Sequence, residues 1–220
     1  MRVVAYDRAG HGARAGGEWG WGLTYLRDAA DELLAVLDAL GSEAKAAGGA
    51  AKPVLIGHSD GATIALLAAA RAPRAVAGVV AVAPHMWYDR STVPAGFARF
   101  QQQWREAGGW TSALGAALYR DHGESRAPRV KRRWEERWLD PAFQDWDDGA
   151  ALGGVQCPVL VVHGADDPFW HTEHAEAIVE RLPGGVGRLH VVEGAGHAVP
   201  NDAPDILESL VRPFVMDVSC

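Results

Sequence analysis

A serine enclosed by two glycines is the first feature of this sequence that could do chemistry. Residues 57–61 read Gly-His-Ser-Asp-Gly, between an apolar run at 53–56 and an alanine-rich run that begins near Asp60. A sharp strand-to-helix turn here would present the Ser59 hydroxyl at its tip, in a strained backbone that small neighbours permit. Such a serine is suited to nucleophilic attack. The alternative is a Gly-Ser loop that merely joins two core elements.

A base and an acid are available to activate this serine. A serine hydroxyl attacks well only when a base takes its proton and a third group orients that base. His197 follows an apolar run at 188–192 and can act as the base. Asp166 and Asp167 follow a second apolar run at 158–163, and either carboxylate could orient the imidazole.

Strands that alternate with helices would bring these groups together. Apolar runs predict strands at 2–6, 53–57, 77–83, 158–163 and 188–192. Helical patterns predict helices at 23–40, 60–72, 171–182 and 203–215. This alternation implies an α/β protein with a mostly parallel sheet flanked by helices. Loops at the carboxyl ends of parallel strands meet at one edge of the sheet, where ligands bind.

The stretch at 85–155 interrupts the alternation. It is rich in tryptophan and arginine and is typical of several short helices inserted between two core strands. We interpret it as a helical lid insertion. Residues 1–84 and 156–220 then form the core domain.

All nine tryptophans lie outside the predicted strands, which indicates an aromatic-walled pocket. Trp87 and Trp170 stand next to strand ends, and together with His85 they are our candidates for the pocket wall. Trp19 and Trp21 follow the first loop. The alternative is that the rings form a small core of the insertion itself.

The loops, taken in order, resemble those of the α/β-hydrolase fold family, in which a serine, an acid and a histidine each follow a strand. Residues 57–61 match its nucleophile elbow, 164–167 its Gly-x-x-Asp acid loop, and 194–197 its histidine loop. Residues 7–12 look like its Asp-x-x-Gly-x-Gly turn, although Ala-Arg replaces the usual small polar ending. The resemblance covers nearly the whole chain.

The resemblance implies a role for each polar residue. Ser59 would be the nucleophile and His197 the base. Asp167 would be the orienting acid, because it is the third residue after the glycine of the acid loop, and Asp166 would face solvent or the helix that follows. Asp89, beyond the preceding strand, is an alternative acid.

The resemblance also implies an oxyanion hole, to which the backbone N–H of Asp60 would contribute. In the family a second N–H comes from a His-Gly loop after a strand that this chain lacks. That strand would lie between those at 2–6 and 53–57, so the fold would be N-terminally truncated. We expect either a fragment of a longer hydrolase or direct closure of 2–6 onto 53–57. Loss of one donor lowers rates by about 100- to 1,000-fold, so the activity of this form is in question.

A serine nucleophile argues against the dehalogenases and epoxide hydrolases of the family, which use a carboxylate. It favours a serine hydrolase that acts on an ester, thioester, lactone, amide or carbon–carbon bond through an acyl-serine, without a cofactor. The second hypothesis is a non-catalytic scaffold that keeps an apolar pocket for binding.

Net charge and hydropathy limit the classes of partner that this protein could bind. The net charge of −7 argues against nucleic acid and acidic membranes, so a small, uncharged or weakly charged ligand is expected. The tryptophan-rich insertion favours a small apolar or aromatic acyl substrate. No apolar run is long enough to span a membrane, and Asp7 and Arg8 interrupt the N-terminal apolar segment, which argues against a signal peptide. These features favour a cytoplasmic location.

Cysteine and histidine do not indicate a metal site. The two cysteines stand far apart, so neither a disulfide framework nor a cysteine metal site is expected. His171 and His174 could share a helix face with Glu173, but nothing else there supplies ligands. His58 and His163 lie at strand ends and are interpreted as structural.

Overall fold

The computed structural model describes residues 2–14, 22–46 and 52–218, and its centre is a four-stranded parallel sheet. The strands lie side by side in chain order: β1 (Val54–His58), β2 (Gly78–Val82), β3 (Val159–Gly164) and β4 (Gly187–Val192). The α-helices are α1 (Tyr25–Ala46), α2 (Asp60–Arg71), α3 (Val93–Glu106), α4 (Ala113–His122), α5 (Ala127–Trp138), α6 (Thr172–Arg181), α7 (Val199–Asp202) and α8 (Pro204–Val218). In the described part of the chain, no helix combines the length and apolar character needed to cross a membrane.

Both faces of the sheet are covered, because alternate residues of a strand point to opposite sides. Val79 and Ala81 of β2 join the main core, which also holds the inner faces of α1 and α2. Val80 and Val82 pack on the other side against α8. This two-sided packing explains why every residue of β2 and β3 is buried and why both strands are apolar, except for His163 near the end of β3.

Helix α2 anchors the serine turn in the core. Its sequence is rich in alanine and leucine, which favour helix, and residues 62–69 are all buried. The helix ends at Arg71, because Pro73 disfavours the helical conformation in the residue before it.

The predicted strand at 2–6 is wrong. Residues 2–7 form no regular secondary structure, and Val3 is 79% exposed. A strand forms only when a neighbouring backbone pairs with it, and no strand of the described sheet pairs with this apolar run. β1 is therefore an edge strand, in which Ile56 is 60% exposed. Direct closure of 2–6 onto β1 does not occur.

The segment at 85–155 contains α3, α4 and α5, and its two ends lie side by side. The Tyr88 N–H donates to the carbonyl oxygen of Trp146 at 2.9 Å, and the Asp148 N–H donates to that of Met86 at 2.7 Å. Trp138 of this segment is buried in the same cluster as α1 and α2. The segment thus shares the main core of the molecule.

Candidate active site

Ser59 lies at the turn between β1 and α2, in a conformation that residues other than glycine rarely adopt. Its φ is 56° and its ψ is −124°. Gly57 permits the turn, since a Cβ there would lie 2.2 Å from the carbonyl oxygen of Gly61. Gly61 has open space at its own Cβ position, so only Gly57 is required by close approach. The strain is held at the residue that bears the hydroxyl.

The side chains of Ser59, His197 and Asp167 form one continuous line of hydrogen bonds. His197 Nε2 lies 2.9 Å from Ser59 Oγ, and His197 Nδ1 lies 2.7 Å from Asp167 Oδ2. A carboxylate can only accept, so Nδ1 carries the hydrogen and Nε2 is free to accept the serine proton. The three residues follow β1, β4 and β3, whose carboxyl ends share one edge of the sheet.

The Asp167 carboxylate is buried and held by the backbone as well as by the imidazole. Its Oδ1 accepts from the N–H groups of Phe169 at 2.8 Å and Trp170 at 3.3 Å. Burial by itself would raise the pKa of the Asp167 carboxyl, but the hydrogen bond and charge of His197 and the Phe169 N–H outweigh it. The pKa is therefore lowered, and Asp167 stays ionised beside the imidazole.

The two other carboxylates considered for the acid have different surroundings. Asp166 is exposed, and its N–H donates to the carbonyl oxygen of Ala195 at 2.9 Å. Asp89 accepts from the N–H of Ser91 at 2.8 Å and from its hydroxyl at 2.5 Å. The geometry of both differs from that of Asp167, which contacts His197 directly.

Asp60, the residue after Ser59, has a backbone N–H and a carboxylate with different surroundings. Its backbone N–H is the first of α2, where a helix has no internal acceptor for it. Its carboxylate turns into the protein, where it accepts from the Tyr25 hydroxyl at 3.1 Å and from His85 Nε2 at 3.2 Å. Arg8, from the turn at 7–14, lies 3.9 Å away.

These contacts keep Asp60 charged, and burial keeps His85 neutral. Burial would raise the pKa of the Asp60 carboxyl, but the His85 hydrogen bond and the positive charge of Arg8 lower it below its usual value. Desolvation lowers the pKa of His85 in spite of the nearby carboxylate. His85 therefore donates its Nε2 hydrogen to Asp60 as a neutral imidazole.

One of the pocket candidates, Trp170, lies beside His197, and a second, His85, packs against Trp170. The rings of Trp170 and His85 stack at 4.2 Å, and both residues are buried. The Trp170 ring centroid is 5.8 Å from that of His197. Trp19 and Trp21 lie outside the described residues.

Trp87 lies elsewhere, between the His174 ring at 4.1 Å and the Arg181 guanidinium at 4.0 Å. It lines a cavity of about 310 Å³, and the residues around that cavity do not include Ser59 or His197. His171 and Glu173 line the same cavity. Within the described residues, no group of three or more His, Cys, Asp or Glu side chains could hold a metal ion.

Comparison with known proteins agrees with this fold. Residues 1–209 match the sequence profile of the alpha/beta hydrolase family. The chain belongs to this family. Mouse serine hydrolase BPHL is 27% identical over 73% of this chain and 54% of its own length, and human BPHL is 26% identical over 97% and 69%. The chain thus spans about half the length of the mouse relative. The crystal structure of NosK from Streptomyces actuosus superposes with a TM-score of 0.68 at 24% identity, covering 99% of this chain and 86% of NosK.

The sequence motifs of this alpha/beta hydrolase do not predict two sets of contacts near Ser59. The first is the cluster of Tyr25, His85 and Arg8 around Asp60, and the second is a hydrogen bond from His58 to the backbone of His197. Their members are far apart in the chain, and no motif links them. The one signal in the sequence is that Asp60 directly follows Ser59 at the start of a helix. A carboxylate that is buried at this position needs hydrogen-bond or charged partners.

Proposed function

We propose that this chain is a serine hydrolase that cleaves an ester, thioester or related acyl bond through an acyl-serine on Ser59. The proposal rests on two hydrogen bonds. His197 Nε2 lies 2.9 Å from Ser59 Oγ, and His197 Nδ1 lies 2.7 Å from Asp167 Oδ2. Membership of a hydrolase family and its serine hydrolase relatives support it.

In the first half of the reaction, Ser59 Oγ attacks the acyl carbon while its proton passes to His197 Nε2. The carbonyl oxygen becomes an oxyanion, which accepts a hydrogen bond from the Asp60 N–H. The imidazolium, stabilised by Asp167, then gives its proton to the departing alkoxide or thiolate. An alcohol or thiol leaves, and the acyl group stays on Ser59.

In the second half, water replaces the leaving group. His197 takes a proton from a water molecule while the oxygen of that water attacks the acyl carbon. The ester bond to Ser59 then breaks. The proton returns to Ser59 Oγ, and a carboxylic acid is released. The enzyme needs no cofactor for either half.

We propose that the acyl group is small and apolar or aromatic. The rings of Phe169 and Trp170 lie 5.1 Å and 5.8 Å from that of His197, so the space beside the base is bordered by aromatic surface. The segment at 85–155 would act as the lid, because its Trp138 packs 5.2 Å from Trp170. This arrangement favours substrates that bury apolar surface.

The test is hydrolysis of p-nitrophenyl esters with acyl groups of increasing length. The wild type should release nitrophenolate, and Ser59→Ala should abolish release without changing the melting temperature. Ser209→Ala, which removes an exposed hydroxyl on α8, is the matched control and should leave the rate unchanged. A folded wild type that is no faster than Ser59→Ala would reject the proposal.

The second candidate function is an apolar-ligand-binding scaffold without catalysis. It is favoured by the open edge of β1, which carries the exposed Ile56 next to the serine turn. In that case wild type and Ser59→Ala should bind a naphthalene-based fluorescent ligand equally and neither should hydrolyse esters.

A further inference from the structure

His58 makes a direct hydrogen bond to the backbone of the proposed base. Its Nε2 lies 2.7 Å from the carbonyl oxygen of His197, and the two ring centroids are 5.2 Å apart. A carbonyl oxygen can only accept, so the His58 ring carries its hydrogen on Nε2 and donates it. The imidazole is thus fixed in one tautomer.

This hydrogen bond joins residues at the ends of the two edge strands of the sheet. His58 is the last residue of β1 and His197 follows β4, and these strands are the two edges of the sheet with β2 and β3 between them. Ser59 and His197 must therefore meet across two intervening strands. The hydrogen bond from His58 to the His197 carbonyl oxygen sets the distance between the serine turn and the histidine loop.

Other bonds hold the histidine loop from different directions. The Asp166 N–H donates to the carbonyl oxygen of Ala195 at 2.9 Å, which joins the loop to the end of β3. The Gly196 N–H donates to Asp202 at 2.9 Å, which joins it to α7. The bond from His58 acts toward β1, on the side of the serine. The three directions together define the position of the loop.

We propose that His58 is a positioning residue that sets the distance between the His197 imidazole and Ser59 through its bond to the His197 carbonyl. This inference rests on the proposed function of Ser59. A displacement of about 1 Å at a catalytic group can lower the rate about 100-fold, so one such bond matters. His58 does not touch the reacting atoms.

The charge state of His58 suits this role. The His58 side chain is exposed at the end of β1, but the protein atoms packed around its ring and the neighbouring His197 lower the pKa of its imidazole below its usual value. At neutral pH the ring is therefore an uncharged donor. It holds the His197 carbonyl without placing a second positive charge beside the imidazolium that forms during catalysis.

The test compares His58→Leu, which removes the donor, with His58→Gln, whose amide nitrogen can occupy the place of Nε2. For a p-nitrophenyl ester, Leu should lower kcat about 100-fold with KM nearly unchanged, and Gln should restore most of the loss. His190→Leu removes an exposed histidine from β4 and should behave as the wild type. Equal rates for Leu and wild type, or equal losses for Leu and Gln at matched melting temperatures, would overturn the proposal.

A second measurement does not depend on activity. The hydrogen that His197 Nδ1 shares with Asp167 should give a low-field proton resonance in the wild type and in His58→Gln, and His58→Leu should weaken or remove it. An unchanged resonance in His58→Leu would contradict the positioning role even if no substrate were turned over. An inactive wild type with the predicted resonances would instead reject the function proposed for Ser59 and keep the role of His58.

Discussion

Replacing Asp167 with asparagine changes which nitrogen of His197 carries a hydrogen. Asp167 Oδ1 accepts from the N–H groups of Phe169 and Trp170, so the asparagine oxygen should take that place. Its NH₂ group would then point at His197 Nδ1, which must become an acceptor. The hydrogen moves to Nε2, and the imidazole can no longer take the proton of Ser59.

The magnitude follows from that tautomer. The same substitution in a serine protease lowers kcat about 10⁴-fold, and this chain has the same bonds, with the imidazole 2.7 Å from a fully buried carboxylate. At about 1.36 kcal/mol per tenfold, the loss is about 5.5 kcal/mol of transition-state stabilisation. KM should change little, because Asp167 does not contact the substrate in the proposed reaction.

The assay is ester hydrolysis under saturating substrate, with Asp166→Asn as the matched control. Asp166 is the exposed neighbour, and its variant should stay within twofold of the wild type, about 0.4 kcal/mol. Retention of more than a tenth of the wild-type kcat by a folded Asp167→Asn variant would show that Asp167 does not set the tautomer of His197.

Two further predictions concern stability. Gly57→Ala should lower the unfolding free energy by about 1–3 kcal/mol, because the new Cβ would lie 2.2 Å from the carbonyl oxygen of Gly61. Gly61→Ala has open space and should not destabilise, and equal melting temperatures for the two variants would contradict the turn geometry. Desolvation lowers the pKa of His174 to about 3 from 6.5, so the unfolded chain takes up its proton first and stability falls as the pH drops from 6.5 toward 3. At about pH 4.5 the loss should reach about 2.7 kcal/mol, and urea titrations there and at about pH 7 should show a smaller acid loss for His174→Gln than for the wild type.

The central strands could be predicted because burial leaves a strong mark on the sequence. β2 and β3 lie between two layers of helices, so the residues of β2 and residues 159–162 of β3 are apolar, and both strands are visible as apolar runs. The run at 2–6 has the same local character and still forms no strand. Its state depends on a neighbouring backbone, and local hydropathy carries no information about that neighbour.

The positions of the polar residues were predictable at the level of loops. The sequence places Ser59, His197 and Asp167 at the ends of strands, and parallel topology then brings their loops to one edge. The contacts of Asp60 with Tyr25, and of His58 with the His197 carbonyl, depend on how distant side chains pack. No periodicity or spacing records such contacts, so the structure was needed to find them.

Every step of the proposed reaction depends on Ser59 being a nucleophile that His197 activates. Intact-protein mass spectrometry after incubation with a fluorophosphonate tests it most directly, followed by peptide mapping of the modified residue. One adduct, located on Ser59, should form in the wild type and fail to form in Ser59→Ala or His197→Ala. A folded wild type that gains no adduct, or gains one on another residue, would contradict it.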